Sequence, residues 1–166
     1  MDKTAAGALV LGVLVVLLGL MWLGWRNLKR RSSGIPAPQA IPATDAVEVL
    51  RTTGLHVATT HAGRPLDRVV VPGLAFRSRA GIRVTKAGVE LRLAGGAECF
   101  IPAAAVRSVG RASWTLDRAV ERDGLVVLTW TLGSTDIDTN LRVEDPAALV
   151  AALSTLPLLP HGRKPA

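Results

Sequence analysis

The chain has 166 residues, a hydrophobic content of 49% and a net charge of +7. So much apolar material excludes a wholly disordered protein, because disordered chains lack the side chains whose burial offsets the entropy lost on ordering. Its single cysteine excludes an internal disulfide framework and a cysteine-rich zinc site, which fits a reducing compartment.

The first feature in chain order is an uncharged apolar stretch of 21 residues, from Ala5 to Trp25. At about 1.5 Å per residue it forms a helix roughly 32 Å long, which matches the ~30 Å hydrocarbon core of a bilayer. A cleavable signal peptide would instead carry its positive charge ahead of a shorter apolar run. The sequence therefore predicts a transmembrane helix over residues 5–25, with Trp22 and Trp25 at the inner membrane interface.

Basic residues are distributed unequally around this predicted helix. Lys3 precedes it, and four basic residues follow it: Arg26, Lys29, Arg30 and Arg31. Because basic flanks remain on the cytoplasmic side, residues 1–4 are predicted outside the cell and the rest of the chain in the cytoplasm. The four residues also suit the membrane interface, where each attracts anionic headgroups. The predicted localisation is the inner membrane, crossed once.

The position of the charge argues against a nucleic-acid partner. The first 31 residues hold five basic residues and one acidic residue, so +4 of the net charge lies beside the apolar stretch. A nucleic-acid surface needs a basic stripe on the folded domain instead. The membrane is the predicted partner for this charge.

Small residues lie along one face of the predicted helix: Ala5, Ala8, Gly12 and Gly19. Such a track lets two membrane helices approach closely, so a homodimer or pairing with another protein's helix is one interpretation. Alanine and glycine are abundant throughout the chain, so chance composition is the other interpretation.

A proline-rich stretch follows, SSGIPAPQAIPAT, from Ser32 to Thr44. Its prolines favour an extended polyproline-like backbone, and residues 26–44 are interpreted as a basic stop and a semi-rigid linker. Asp45–Arg51 is predicted to form a short helix, capped by Thr44 or Asp45.

From Leu55 onward, short β-branched runs alternate with glycine or proline, which predicts a series of strands. Eight candidates result: LHVATT, GLAFRSR, GIRVT, GVELRL, ECFIP, VRSVGRA, LVVLTWTL and DTNLRV. In GIRVTKAGVELRL, apolar and polar residues alternate, so the sequence predicts a hairpin with one buried face and one solvated face. LVVLTWTL is more continuously apolar and is predicted to be a central strand.

The last predicted element is a helix that begins at Asp145-Pro146 and continues through AALVAALSTL. Aspartate suits the cap position of a helix and proline its first turn. An amphipathic helix after many antiparallel strands is suited to closing the open end of a small barrel. The predicted domain spans residues 45–157, and residues 158–166 are predicted to form a disordered tail.

These features resemble the membrane-anchored bacterial pleckstrin-homology-like (PH-like) proteins of actinobacteria, some of which are described as transporters or export proteins. The resemblance is carried by THAGRPLDRVVVPGLAFRSRAGI, CFIPAAAV and LVVLTWTLG followed by DTNLRV, within Leu55–Leu156. It implies a single N-terminal transmembrane helix and a mainly-β domain, a two-sheet antiparallel barrel of about seven strands capped by a C-terminal α-helix. The eight candidates exceed that number by one, so either a strand is split near Gly81 or the strand at Val106 is surplus.

Sequence motifs for catalysis, cofactor binding and metal binding are not found, so no catalytic, cofactor or metal residue is predicted. His56 and His61 are five apart on one predicted strand, hence on opposite faces, and are interpreted as surface residues. Cys99 lies in a short apolar strand and is predicted to be a small buried side chain rather than a nucleophile.

The candidate binding residues are basic: Arg64, Arg68, Arg77 and Arg79, with Arg83 further along. Arg77 and Arg79 are two apart on one strand and share a face, where two guanidinium forks can hold a phosphate. They resemble the basic residues at the first hairpin of phosphoinositide-binding PH domains, which implies contact with an anion or lipid. The alternative is an ordinary solvated face of an antiparallel sheet.

The function predicted from these observations is non-enzymatic binding. The chain is interpreted as a membrane-tethered scaffold whose cytoplasmic PH-like domain binds a protein partner or an anionic lipid. The alternative is an accessory subunit of a membrane transport or export complex, acting through its transmembrane helix. One helix cannot form a transport path alone, since alternating access needs repeated, discontinuous helices.

Overall fold

A computed structural model describes residues 3–32, 34–43, 46–112 and 124–157. The chain divides into two compact units, one ending at Gly34 and the other beginning at Ile35. The predicted tail at 158–166 and the predicted helix caps Thr44 and Asp45 lie outside the described residues.

The first unit is one long helix, α1 (Lys3–Ser32). The large apolar side chains from Leu9 to Trp25 are all at least 52% exposed within the chain, so this surface finds no protein partner there. The stretch Leu9–Asn27, with a mean hydropathy of 2.1, is long and apolar enough to cross a membrane, a property that signal sequences share. The Arg26 guanidinium lies 5.2 Å from the centroid of the Trp22 ring, a cation–π distance.

The second unit is mainly β. Its elements are β1 (Glu48–His61), β2 (Arg64–Arg68), β3 (Ser78–Thr85), β4 (Gly88–Leu93), β5 (Glu98–Pro102), a short 3-10 helix (Ala103–Ala105), β6 (Val106–Ala112), β7 (Leu125–Leu132), β8 (Thr135–Val143) and α2 (Pro146–Leu153). The pairings are antiparallel, in the order β5-β4-β3-β1-β8-β7-β6 with β2 beside β1. An apolar N-terminal helix, an antiparallel sheet and a C-terminal helix confirm the predicted fold class.

The long strand β1 joins the two halves of the sheet. Its first part pairs with β3, while its second part pairs with β8 on one edge and β2 on the other. A β-bulge lies between His56 and Ala58. The strands therefore form one continuous path of pairings, in which β1 belongs to both halves of the sheet.

The strand predictions are correct in number and wrong in two places. GLAFRSR and GIRVT are not separate strands, since β3 begins at Ser78 and runs through Gly81. The strand at Val106 is real and pairs with β7, which is central as predicted. The eighth strand is β2, whose sequence RPLDR has neither alternation nor β-branched residues and is recruited by pairing with β1.

The predicted short helix over Asp45–Arg51 is wrong, because Glu48–Arg51 is the beginning of β1. Pairing with β3 supplies the backbone hydrogen bonds that an isolated helical turn would have to make locally. The Glu48 carboxylate also accepts a hydrogen bond from Arg83 Nε at 2.6 Å, a contact with β3 that the strand makes possible. Sheet pairing thus overrides the local helix signal.

The proline-rich segment, predicted to be a semi-rigid linker, is attached to the domain at two points. Ile35 is 9% exposed and belongs to the hydrophobic core. Further along, the backbone N–H of Phe100 on β5 donates to the Gln39 carbonyl at 2.8 Å. An apolar residue and an unpaired strand edge explain this attachment, since both are more stable when covered.

The β3–β4 hairpin forms as predicted, with Ile82 opposite Leu91 and Arg83 opposite Glu90. Its outward face is not fully solvated, however, because Glu90 is only 2% exposed. A carboxylate is stable there because Arg83 Nη1 donates to Glu90 Oε1 at 3.1 Å. Glycine is required at Gly88, where φ is +152° and an added Cβ would collide with the carbonyl oxygen of Ile101.

The C-terminal helix α2 covers the core as predicted. Asp145 caps it, since Oδ1 accepts a hydrogen bond from the backbone N–H of Ala148 at 2.9 Å. Leu149 and Leu153 are fully buried in the same core as Trp130. Cys99 is also buried there, which raises the pKa of its thiol to about 12 and confirms its predicted role as an apolar side chain.

The predicted surface position of His56 is wrong, because its side chain is completely buried. Nδ1 lies 3.1 Å from the Phe76 carbonyl oxygen, and Nε2 lies 2.9 Å from the Thr59 hydroxyl. A carbonyl only accepts, so in the neutral ring Nδ1 donates to Phe76 and Thr59 donates to Nε2. The β-bulge also places His56 and His61 on the same face of the sheet, opposite Leu141 and Ile137 of β8.

We expect His56 to make domain stability depend on pH. Burial lowers its pKa, the hydrogen bond to Phe76 opposes this, and the Arg68 charge lowers the pKa further. Below a pH of about 6.5 the unfolded chain therefore binds a proton that the folded domain does not, and the free energy of unfolding falls by up to ~1.4 kcal/mol per pH unit. Denaturant unfolding of residues 35–166 between pH 7.5 and pH 5.5 measures this slope.

The variant His56→Gln is the control, because an amide does not titrate in this range and still offers a donor and an acceptor. We expect a flatter pH dependence in the variant, whatever its absolute stability. Equal slopes for the two proteins over this interval would show that His56 is not the responsible group.

Candidate anion-binding surface

The structure separates the four predicted arginines along one edge of β1. Arg64 and Arg68 lie on β2, and Arg64 Nη1 is 3.7 Å from Asp67 Oδ2 in an exposed ion pair. Arg77 precedes β3 and is exposed, while Arg79 lies within β3. Since β2 and β3 pair with the same edge of β1, the four residues follow one another along that edge rather than forming one cluster.

Two exposed apolar side chains lie close in the sequence to Arg64, Arg68 and Arg77. Leu66 on β2 is 77% exposed, and Phe76, next to Arg77, is 81% exposed. The Phe76 backbone is nevertheless fixed, because its carbonyl accepts the hydrogen bond from His56. We refer to Arg64, Leu66, Phe76 and Arg77 as the edge surface.

Arg79 instead belongs to a second arrangement on the outer face of the sheet. Leu55 of β1 is opposite Arg79 on one side and Arg142 of β8 on the other. Side chains of directly opposite residues point to the same face, so the two arginines flank Leu55. Gly81, two residues from Arg79, is opposite Arg92 of β4. The sheet register therefore places Arg79, Arg92 and Arg142 on the same face of the sheet.

An open groove with a volume of about 660 Å³ lies along these strands. We call it the arginine groove, and its lining includes Thr53, Leu55, Arg79, Gly81, Arg92 and Ala94. Its space exists because Gly81 has no side chain and Ala94 has a small one. A Cβ added at Gly81 would meet no atom closer than 3.9 Å, so the strand leaves this position open.

The other arginines of this region are neutralised by carboxylates. Arg83, 17% exposed at its side chain, contacts Glu48 at 2.6 Å and Glu90 at 3.1 Å. Hydrogen bonds from Arg51 and Arg83 lower the pKa of the Glu48 carboxyl, so Glu48 stays ionised at neutral pH. Arg83 thus stabilises the sheet and does not extend the predicted binding constellation.

The arginines around the groove are much less neutralised. Arg92 reaches Glu98 at 3.6 Å and Glu90 at 3.8 Å, distances of ion pairs too long for strong hydrogen bonds. Arg79 and Arg142 are exposed and form no ion pair with any carboxylate in the described part of the chain. The groove therefore has an excess of positive charge beside a concave surface.

The buried histidine and the cysteine of the domain are both engaged in its structure. Both ring nitrogens of His56 are engaged in hydrogen bonds, and the raised pKa of Cys99 keeps its thiol protonated. Among residues 3–32, 34–43, 46–112 and 124–157, no group of three histidine, cysteine or acidic side chains is arranged to hold a metal ion.

Sequence reasoning missed Arg92 and Arg142. Arg92 alternates with apolar residues on β4 like any solvated position, and Arg142 lies 63 residues after Arg79. Only the pairings of β4 with β3, of β3 with β1 and of β1 with β8 place Arg92 and Arg142 on one face. Residues so far apart in the sequence form no motif that would predict this proximity.

Comparison with known proteins agrees with this architecture. The family described as Bacterial PH domain-like matches residues 35–156, about the whole second unit and most of the proline-rich segment. Comparison with curated proteins returns no match. PH-like domains are typically non-catalytic and act as binding or scaffold modules. With the match covering well over half of the chain, this protein belongs to the bacterial PH domain-like family.

Proposed function

We propose that the protein is a membrane-anchored binding module whose PH-like domain docks on anionic lipid at the cytoplasmic face of the inner membrane. The anchor is α1, whose apolar side chains are exposed over its whole central part. Lipid is the solvent that makes such a surface stable. The resemblance to anchored actinobacterial proteins supports the same arrangement.

The proposed orientation follows from the basic end of α1. The helix continues to Ser32 and includes the four basic residues after Trp25. These residues favour the cytoplasmic side, and the Trp22–Arg26 contact is of the type found at membrane interfaces. The domain is then cytoplasmic, on the leaflet that attracts basic residues.

The edge surface is the observation that carries the docking proposal. A folded domain rarely leaves a phenylalanine 81% exposed, and Phe76 and Leu66 are both presented next to arginines. Apolar side chains that enter the interface, together with cations that meet anionic headgroups, are the combination used by peripheral membrane-binding surfaces. A protein partner with an acidic, apolar surface is the competing occupant.

A second candidate function is that of an accessory subunit in a membrane complex. It is favoured by the open surface around Gly12 and Gly19, where no atom of the described chain comes within 4 Å of an added Cβ. Small residues on one face permit close helix pairing. In this case α1 binds another membrane helix, in a homodimer or in a transport or export complex.

We expect a reporter that is active only in the cytoplasm to be active when fused after Ala166. Four basic residues after the helix against one before it determine this orientation. A reporter active only outside the cytoplasm, fused at the same position, is the control and should give no signal. The opposite pattern of activity would reverse the proposed topology.

We expect residues 35–166, without α1, to bind vesicles containing anionic lipid and to lose affinity when the edge surface is changed. Phe76→Ser removes an apolar group worth about 1.5–3 kcal/mol if fully inserted. Arg64→Ala with Arg77→Ala should cost about 1 kcal/mol per charge at low salt. Vesicle co-sedimentation measures both losses.

The matched control for this experiment is Arg107→Ala with Arg111→Ala on β6, which removes the same charge elsewhere on the domain. It should reduce vesicle binding much less than the change at Arg64 and Arg77. Equal losses would indicate non-specific attraction, and the absence of binding by any variant would favour a protein partner.

Replacement of residues 5–25 by an unrelated membrane helix distinguishes the two candidate functions. We expect the docking module to retain its membrane localisation and partners, because the helix serves only as an anchor. Proximity labelling in native membranes compares the partners of the two proteins. Loss of the labelled partners after replacement would instead support the accessory subunit.

A further inference from the structure

The first half of β1 has an edge that no strand covers in the described part of the chain. Residues 48–53 pair with β3 on one side, whereas β8 pairs with β1 only from Gly54 onward. Past that point the chain leaves β8 and enters α2. Val49 is 39% exposed and the Arg51 side chain is 60% exposed, so solvent reaches this segment. We refer to residues 48–53 as the free β1 edge, since its unpaired backbone groups can accept another strand.

The two ends of the sheet are less suited to pairing with a copy of themselves. The path of strands ends at β5 and β6. The edge of β5 already contacts Gln39 of the proline-rich segment. The strand β6 contains Arg107 and Arg111 and no acidic residue, so a second β6 beside it would bring like charges together. The free β1 edge has a different charge pattern.

A β-bulge makes the charges of the free β1 edge complementary to themselves. Residues three apart on a regular strand point to opposite faces. Here, however, the pairing with β3 shifts between Glu48 and Leu50. Glu48 and Arg51 consequently share a face, where Arg51 Nη2 donates to Glu48 Oε2 at 2.7 Å. An acid and a base thus lie on one face in an order that an antiparallel copy reverses.

We propose that the free β1 edge pairs antiparallel with the same edge of a second copy of this chain, forming a two-fold symmetric dimer. One register places Glu48 of each copy opposite Arg51 of the other, with Val49 opposite Leu50. The two-fold axis repeats every contact, so two interchain ion pairs form. A shift by three residues would instead place Glu48 opposite Glu48, or Arg51 opposite Arg51. Charge therefore selects the register.

The contacts of the single chain fit this exchange. Arg51 turns back to Glu48 of its own strand in an exposed ion pair, and Glu48 also accepts a hydrogen bond from Arg83 at 2.6 Å. Pairing replaces the first contact by its equivalent in the second copy and retains the second, so each of these charges keeps a partner. The exposed Val49 becomes covered, and the backbone groups of the edge gain hydrogen bonds.

Tethering compensates for the small size of this interface. A strand of six residues buries less surface than a standard stable protein interface. Two chains held in one membrane have a high effective concentration, so weak pairing is sufficient. This step rests on the proposed anchoring by α1, whereas the complementarity of the edge does not.

The test uses the full chain in phosphatidylcholine vesicles, with a donor or an acceptor fluorescent protein fused after Ala166. We expect energy transfer between native chains. Glu48→Arg alone and Arg51→Glu alone should each weaken the dimer by about tenfold, since each turns two attractive pairs into repulsive ones. An equal mixture of these two variants should recover the transfer, because each chain supplies the charge that the other lacks. Mixing cannot repair a folding defect, so recovery identifies pairing.

The matched control is Arg111→Glu, which reverses one exposed charge on β6 and should leave energy transfer unchanged. Phe76→Ser should also leave it unchanged, because the edge surface does not contribute to the dimer. Loss of vesicle docking with intact energy transfer would therefore contradict the proposed function and not this inference. Flotation of the chain with the vesicles tests the anchoring separately.

Cysteine cross-linking checks the register. A chain with Glu48→Cys and a chain with Arg51→Cys should form a mixed disulfide faster than either variant forms one with itself, because directly opposite residues bring their Cβ atoms close together. The native Cys99 is buried and does not compete. The proposal is overturned if the mixed disulfide is not preferred or if the mixture of charge variants recovers no transfer. Transfer that resists both charge changes but is lost in Gly12→Leu would also overturn it, by assigning the contact to α1.

Discussion

The strand β1 is the constraint on which the rest of the domain depends, because its 14 residues pair along both edges. One edge holds β3 and then β2, and the other holds β8. The bulge after His56 allows the strand to turn from one half of the sheet to the other. His56 lies on the inward-facing side of β1, like Thr52 opposite the buried Ile82, and its hydrogen bond to Phe76 fixes the chain that leads into β3. The positions of the edge surface and of the arginine groove both follow from the pairings of this strand.

Charge on the outer face is arranged in two ways with different consequences. Around the buried Glu90, arginine and carboxylate alternate from strand to strand, and Arg83 satisfies a group that would be costly to bury alone. A few residues away, Arg79 and Arg142 have no carboxylate partner among the residues that the structure describes. Of these two, Arg79 lines the concave surface next to Gly81, and Arg142 lies across Leu55 from Arg79. Pairing in the sheet, rather than the number of arginines, thus separates structural cations from candidate ligand-binding ones.

The two units suit a division of roles, with α1 as the proposed anchor and the PH-like domain as the proposed binding module. Anchoring raises the effective concentration of the domain at the membrane, so a second contact there becomes intramolecular. Weak individual contacts are then sufficient, such as one exposed phenylalanine with a few arginines. The attachment of Ile35 and Gln39 to the domain also means that most of the proline-rich segment contributes to the fold rather than to reach.

Local sequence was sufficient for the elements whose stability comes from neighbouring residues. The uncharged run from Ala5 to Trp25 predicts an apolar helix by length alone, and alternation with a tight turn predicts the β3–β4 hairpin and its buried face. Asp145 and Pro146 predict the start of α2, because capping acts within one helical turn. The burial of Cys99 followed from its apolar strand.

Contacts between residues far apart in the sequence decided the rest. The segment Asp45–Arg51 carries a helix signal, yet the hydrogen bonds offered by β3 make part of it a strand. The pairing of β1 with both β3 and β8 encloses His56, and no local residue pattern marks that position as buried. Arg79, Arg92 and Arg142 are brought to one face only by the pairing of four strands. Side-chain period is a local property that a sequence shows directly, whereas strand register is a long-range property that exists only once the sheet has formed.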